Sequence, residues 1–203
     1  MVDVIPAALW KEVEAAYASP GRAYHTVAHV REVLHRCEEV AAAGAPGWQH
    51  PDEVLLAALF HDAVYAPGAR DNEARSAELA RAAAARFFPR ADRERVAGLV
   101  LLTANHGALD PDDVTDEEAL FLDCDMAILA ADQAAFDAYD RGIAAEYAHV
   151  PPELYQVGRR SFLSSLLDKE RIFLSDFFHA RLDGAARANL RRALAATSQA
   201  TVT

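Results

Sequence analysis

Apolar residues recur at three- and four-residue steps along most of the chain, and caps, prolines and glycines punctuate them. Val30, Val33, Leu34, Cys37 and Val40 form one such ladder, opened near Thr26 and closed at Gly44. Before it, a helix is predicted over about residues 6–18, with Pro6 in its first turn and Ser19-Pro20-Gly21 as its stop. A third helix starts at Pro51-Asp52-Glu53 and runs through the unbroken apolar stretch 54–60 to His61-Asp62. The cluster Asp71-Asn72-Glu73 opens a fourth, which ends before Pro89. A fifth, over about 92–106, carries Val96, Leu99, Val100 and Thr103 on one face. Thr115 and Glu118 form a capping-box pattern ahead of Leu120, Phe121, Cys124, Ile128 and Leu129. Segments at 132–148, 152–167, around 171–181 and 183–196 complete the series. No strand alternation, repeat or low-complexity linker interrupts it, so the expectation is an all-α bundle of about nine or ten helices in a single domain, 1–203.

Composition sharpens this picture. With 203 residues and 52% hydrophobic content the chain can bury a sizeable core. A formal net charge of −11 and the lack of a basic stripe argue against nucleic-acid polymers as partners. Small anionic ligands stay open, because a bound cation reverses the local potential. Cys37 and Cys124 show no metal or disulfide spacing and read as core fillers. The start, MVDVIPAALW, has no leader pattern, and no apolar run is long enough to span a bilayer. A reducing cytoplasm is therefore the expected compartment, with no membrane partner and oligomeric state left open.

The candidate chemistry begins with His61-Asp62, an imidazole and a carboxylate at the end of an apolar run. Such a pair is costly to desolvate without a neutralising partner, and a divalent metal is an economical one. His25 and His29, four residues apart, are expected on one face at the start of the second helix. Asp123 and Asp125 follow downstream. They lie roughly 200° apart on a helix, so only one should face a metal. Imidazole plus carboxylate suits Mn, Fe, Co, Ni, Zn or Mg, and the residues alone do not choose among them.

These residues carry a family resemblance. Tyr24-His25-Thr26-Val27-Ala28-His29-Val30, then Phe60-His61-Asp62, then Asp123-Cys124-Asp125 resembles the H…HD…D signature of the HD-domain metal-dependent phosphohydrolase superfamily. The first segment is also similar to the YHxxxH segment of cyclic-nucleotide phosphodiesterases. The chain looks most like a bacterial group of predicted HD phosphohydrolases. Asp71-Asn72-Glu73-x-x-Ser76, Thr103-Ala104-Asn105-His106, Glu146-Tyr147-Ala148 and Gly158-Arg159 extend the likeness over nearly the whole chain.

The resemblance implies metal ligands at His29, His61, Asp62 and one of Asp123 and Asp125. Asp125 is chosen because it precedes the apolar helical segment Met126-Ala127-Ile128-Leu129. Asp123 is then expected to be solvated or to support a ligand from behind. His25 is implied as the acid that protonates a leaving alkoxide, against the plainer reading of a helix-start histidine bonded to a carboxylate. Glu73 is implied as an acid orienting water, although a first-turn Glu suits the helix dipole equally. Tyr24, His106 and Arg159 are the expected substrate-binding residues; His106 could instead serve a second metal. Arg159 could grip a phosphate in two-pronged fashion. Arg160, Lys169, Arg171 and the acidic run 110–116 read as solvated, and His35, His50, His149 and His179 as structural.

The function these features imply is a metal-dependent phosphohydrolase acting on a small phosphorylated metabolite or nucleotide. One alternative is an HD-fold di-iron oxygenase, disfavoured because only His106 lies between the HD pair and the last Asp as an extra ligand. The other is a non-catalytic nucleotide-binding module, disfavoured because every expected ligand type is present.

Overall fold

Nine α-helices and no strand make up the described residues, 5–44 and 46–199, of the computed structural model. Residues 1–4, part of the stretch expected to carry no leader, lie outside them. The all-α expectation holds. In order the helices are α1 (Ala7–Tyr17), α2 (Val27–Ala42), α3 (Pro51–Phe60), α4 (Asn72–Phe87), α5 (Arg93–Leu102), α6 (Asp116–Met126), α7 (Gln133–Glu146), α8 (Pro152–Asp168) and α9 (Asp176–Gln199).

The apolar run at 54–60 decides the architecture. A helix that is apolar all round can only be satisfied from every side. Residues 54–60 are all buried, and α3 packs against α2, α4 and α5. Its last turn therefore ends deep in the molecule, which is where His61 and Asp62 follow. α6 packs on α2, and α9 covers α8 and the short helical turn Ala127–Ala130 after α6. One hydrophobic cluster joins side chains from all nine helices, Cys37 and Cys124 included.

Local chemistry explains most boundaries. The Thr115 hydroxyl accepts from Glu118 N, and the Glu118 carboxylate accepts from Thr115 N, closing the capping box at α6. Asp92 and Asp132 accept from first-turn amides of α5 and α7 in the same way. Among the described residues no helix is long and apolar enough to cross a membrane.

Three expectations need correction. The segments around 171–181 and 183–196 are one helix, α9, preceded by an irregular stretch at 169–175. Asp183 reads as a helix start but sits inside α9. There its carboxylate accepts from Ile172 N and Arg187 Nε, tying the stretch before α9 to its face. The fifth helix stops at Leu102 and continues only as the tight turn Thr103–Asn105, so His106 lies beyond it. His25 precedes α2 altogether, with Thr26 as the N-cap. It therefore shares no helix face with His29.

Candidate metal centre

The turn after α3 is where chemistry is assembled. His61 N donates to Ala57 O at 2.8 Å, continuing the helix for one more bond, and the chain then leaves it. Carbonyls at a helix C-terminus need outside donors, and Arg22 supplies them. Its guanidinium donates to Asp62 O (2.8 Å), Ala63 O (2.9 Å) and His25 O (2.8 Å), stacked over the Tyr17 and Tyr65 rings. Arg22 thus ties the loop before α2 to the His-Asp turn. The next loop is held from α4: Asn72 bonds Ala66 N and O, and Ser76 bonds Val64 N and O.

Four side chains converge there from three helices and their ends. His29 Nε2 lies 3.0 Å from His61 Nε2 and 3.0 Å from Asp125 Oδ1. Asp62 Oδ2 lies 3.1 Å from His61 Nε2 and 3.7 Å from His29 Nε2. Neighbouring donors on an octahedral ion with bonds of about 2.1 Å stand roughly 3.0 Å apart. The His29, His61 and Asp125 donors all lie within 4.8 Å of one another, a buried group that could hold a metal ion. His61 Nδ1 is 3.0 Å from Ala58 O, an arrangement that leaves Nε2 to face the centre. His29 Nδ1 is buried without such a partner among the described residues.

The electrostatics set two ionised carboxylates against a charged imidazole. Burial works against a charged His61, but the Asp62 carboxylate, Asp125 and the Ala58 carbonyl outweigh it and raise the imidazole to about 9. Burial likewise opposes ionised Asp62, yet His61 and His25 hold it well below the usual carboxylate range. Asp125 is also held low against burial, by hydrogen bonds from His106 and His29. Two carboxylates kept ionised in a largely buried pocket need positive charge beside them.

Asp123 and Asp125 point opposite ways, as the helical angle requires. Asp125 was the choice for a ligand, and it is the one that reaches His29. Asp123 is neither solvated nor behind a ligand. It is buried, and its carboxylate accepts from Leu174 N (2.8 Å), Ser175 N (2.7 Å) and Ser175 Oγ (2.6 Å). Burial raises its carboxyl to about 6 in spite of those bonds. Its work is to fasten the stretch before α9.

A cavity of about 530 Å³ opens beside the four donors, with His25, Tyr24, Glu73, His106 and Arg159 in its walls. His25 Nε2 stands 3.9 Å from Asp62 Oδ2, while Nδ1 lies 2.6 Å from Glu146 Oε2. The other Glu146 oxygen accepts from the amides of Ala23, Tyr24 and His25 at 2.8 to 2.9 Å. Burial would raise Glu146, but His25 and those amides bring it down to about 2. Both readings of His25 thus meet in one residue: it is bonded to a carboxylate, and it still presents a ring nitrogen toward the site. The same clamp recurs away from this cavity: Glu117 accepts from Gln49 N and His50 N and pairs with the His50 ring. It is the location next to Asp62 that separates His25 from His50.

The remaining residues fall into place around this centre. His106 Nδ1 is 3.1 Å from Asp125 Oδ2, and that carboxylate raises its pKa against burial. Tyr24 packs its ring on His25, His29 and Tyr139, and its hydroxyl is buried without a partner among the described residues. Glu73 reaches the cavity from the first turn of α4. Arg159 is less free than a phosphate grip requires: Nε and Nη2 bond Asp140 Oδ1 at 3.0 and 2.7 Å, and Nη1 donates to the Tyr139 hydroxyl at 3.2 Å. Lys169 is not solvated either; it bridges Leu109 O and Asp110.

Glu146 and Arg22 had no assigned role in the sequence reading. A signal existed for Glu146, because an acid in the last turn of a helix opposes the dipole and needs a compensating partner. For Arg22 there was none. No protein-family model, curated protein or solved structure matches this chain.

Proposed function

We propose that this protein is a metal-dependent phosphohydrolase of the HD type, with His29, His61, Asp62 and Asp125 as metal ligands and His25 as the acid. The observation that carries the reading is the donor set at octahedral spacing, set beside a histidine whose far nitrogen is fixed by Glu146. A divalent ion, when bound, supplies Lewis acidity, which makes water ionisable near neutral pH and stabilises charge on a phosphoryl oxygen. The N/O donor set is compatible with Mn, Fe, Co, Ni, Zn or Mg.

The chain's own residues account for the proton movements. A water oxygen loses a proton to solvent as it forms a bond to phosphorus, the phosphorus–oxygen bond to the alcohol breaks, and the departing alkoxide takes a proton from His25 Nε2. Glu146 engages the opposite nitrogen, so Nε2 is the one that gives a proton to the alkoxide and regains one from solvent. We assign the orientation of the attacking water to Glu73, which lies at the cavity wall. Phosphate-ester hydrolysis by protein loaded with each metal in turn, beside His25→Ala and Asp62→Ala, tests this. Activity that survives Asp62→Ala or metal removal would overturn it.

One observation favours a second reading. Asp125 reaches His29 with one oxygen and His106 with the other, so its carboxylate could serve two ions. Two irons per chain together with oxygen consumption would carry the di-iron oxygenase reading instead.

A further inference from the structure

We infer that the substrate carries a single phosphoryl group, and that its alcohol portion bears an uncharged aromatic ring. This rests on the phosphohydrolase reading and specifies what that site accepts.

The cavity has two unlike ends. One holds the polar side chains His25, Asp62, His106 and Asp125. The rest of the wall combines aliphatic side chains such as Met126, Leu129 and Ile143 with five tyrosines and Phe162, the rings coming from four separate segments of the chain. A volume of about 530 Å³ is in the usual range for small-molecule sites, and an orthophosphate at the polar end leaves most of it over. Ring faces and edges at such density favour a flat, apolar occupant through stacked and edge-on contacts.

Charge decides the rest. Arg159 is the only Lys or Arg among the described residues lining the cavity, and Asp140 already balances it at 2.7 Å. A second phosphate would place its charge among tyrosines and aliphatic side chains, without an uncommitted cation. Desolvating an unpaired anion is strongly unfavourable. Diphosphates and triphosphates are therefore excluded by the wall, and glycerol-sized phosphates leave it unfilled.

The test uses the full chain loaded with Mn²⁺ and three esters: 2-phenylethyl phosphate, glycerol 3-phosphate and 2-phenylethyl diphosphate. The first two release primary alkoxides of similar basicity, so leaving-group chemistry does not decide the ranking. Calorimetric binding of 2-phenylethylphosphonate and 2-hydroxyethylphosphonate gives a readout free of turnover. The expected kcat/KM for 2-phenylethyl phosphate is about tenfold or more above each of the others, with the same preference for the aryl phosphonate in binding.

Hydrolysis with a flat or reversed ranking overturns the inference and leaves the phosphohydrolase reading standing. No hydrolysis of any ester, with the phosphonate preference intact, overturns the phosphohydrolase reading and keeps the pocket assignment. Leu154, 65% exposed at the cavity wall, offers a gain-of-function variant that should not disturb the core. Leu154→Lys supplies the missing cation and should raise the diphosphate-to-monophosphate ratio about fivefold or more. An unchanged ratio would overturn the charge argument.

Discussion

His29 and His61 place their Nε2 atoms 3.0 Å apart although 32 residues separate them in sequence. Each also has a carboxylate within 3.1 Å of the same nitrogen, Asp125 for His29 and Asp62 for His61. Two ring nitrogens facing each other between two carboxylates either share protons or share a cation.

That competition predicts a pH dependence of metal binding. His61 is raised from 6.5 to about 9, so a metal must displace its proton at neutral pH. Apparent affinity should rise with pH by about tenfold per unit between roughly 6.5 and 9, with about one proton released per metal. In metal-free protein the sign is opposite. The stability from charged His61 is fully present below 6.5 and is lost as pH rises through about 9. Titration calorimetry in buffers of different ionisation enthalpy reads the proton release; a pH-independent affinity would contradict the prediction.

Glu146 should show itself on the acid side. Its pKa is lowered from 4.5 to about 2, so its contribution to stability is present above 4.5 and is lost as pH falls toward 2. Glu146→Gln should lower Tm at pH 7, with the gap to the parent closing in acid. The variant should also depress kcat more than KM is raised, because His25 loses the partner of its far nitrogen.

Asp123 and Asp125 should separate cleanly. Asp123→Ala leaves three donors unpaired in the interior and should cost about 3 kcal/mol, or roughly 10 °C in Tm, while the folded protein still takes up metal. Asp125→Ala should abolish metal uptake and also lower Tm in metal-free protein, because His29 and His106 lose the carboxylate between them. Thermal melts and metal content together check both; equal metal loss in the two would count against the assignment.

Gly142 lets α7 approach the loop that carries His25. A Cβ there would stand 3.0 Å from Tyr24 Cβ and 3.4 Å from its backbone N and Cα. Gly142→Ala must push that loop by a few tenths of an ångström while adding up to about 1 kcal/mol of helix propensity. Activity should drop about tenfold or more, since positioning errors of this kind are costly, with Tm changed by only a few degrees. Unchanged kcat would show that the approach is not needed.

Gly184 provides the contrast. It sits inside α9, and an added Cβ meets nothing within 4 Å. Gly184→Ala should stabilise by about 1 kcal/mol, roughly 3 °C in Tm, and leave activity alone.

Where signals were local, the sequence was legible. Thr26, the Thr115–Glu118 box and the unbroken apolar run at 54–60 announce their helices and the depth of the His-Asp turn. The same local logic fails at Asp183, whose partners Ile172 and Phe173 precede it in an irregular stretch. It also misses contacts that only the fold creates. Glu146 lies 121 residues from His25 and Arg22 lies 40 from Asp62, and neither separation leaves a periodic trace. Arg159 illustrates the converse: its motif position fits a phosphate grip, while Asp140, 19 residues away, occupies the guanidinium.

The central claim is a metal centre built on His29, His61, Asp62 and Asp125. Elemental analysis of protein purified without chelator, beside His61→Ala, tests it most directly. A metal centre on these four residues should give about one equivalent of a divalent transition metal or, failing that, stoichiometric uptake of added Mn²⁺ or Mg²⁺ by the parent, and little of either in the variant. A parent that neither carries nor takes up metal, or a variant that binds it equally well, would rule that centre out.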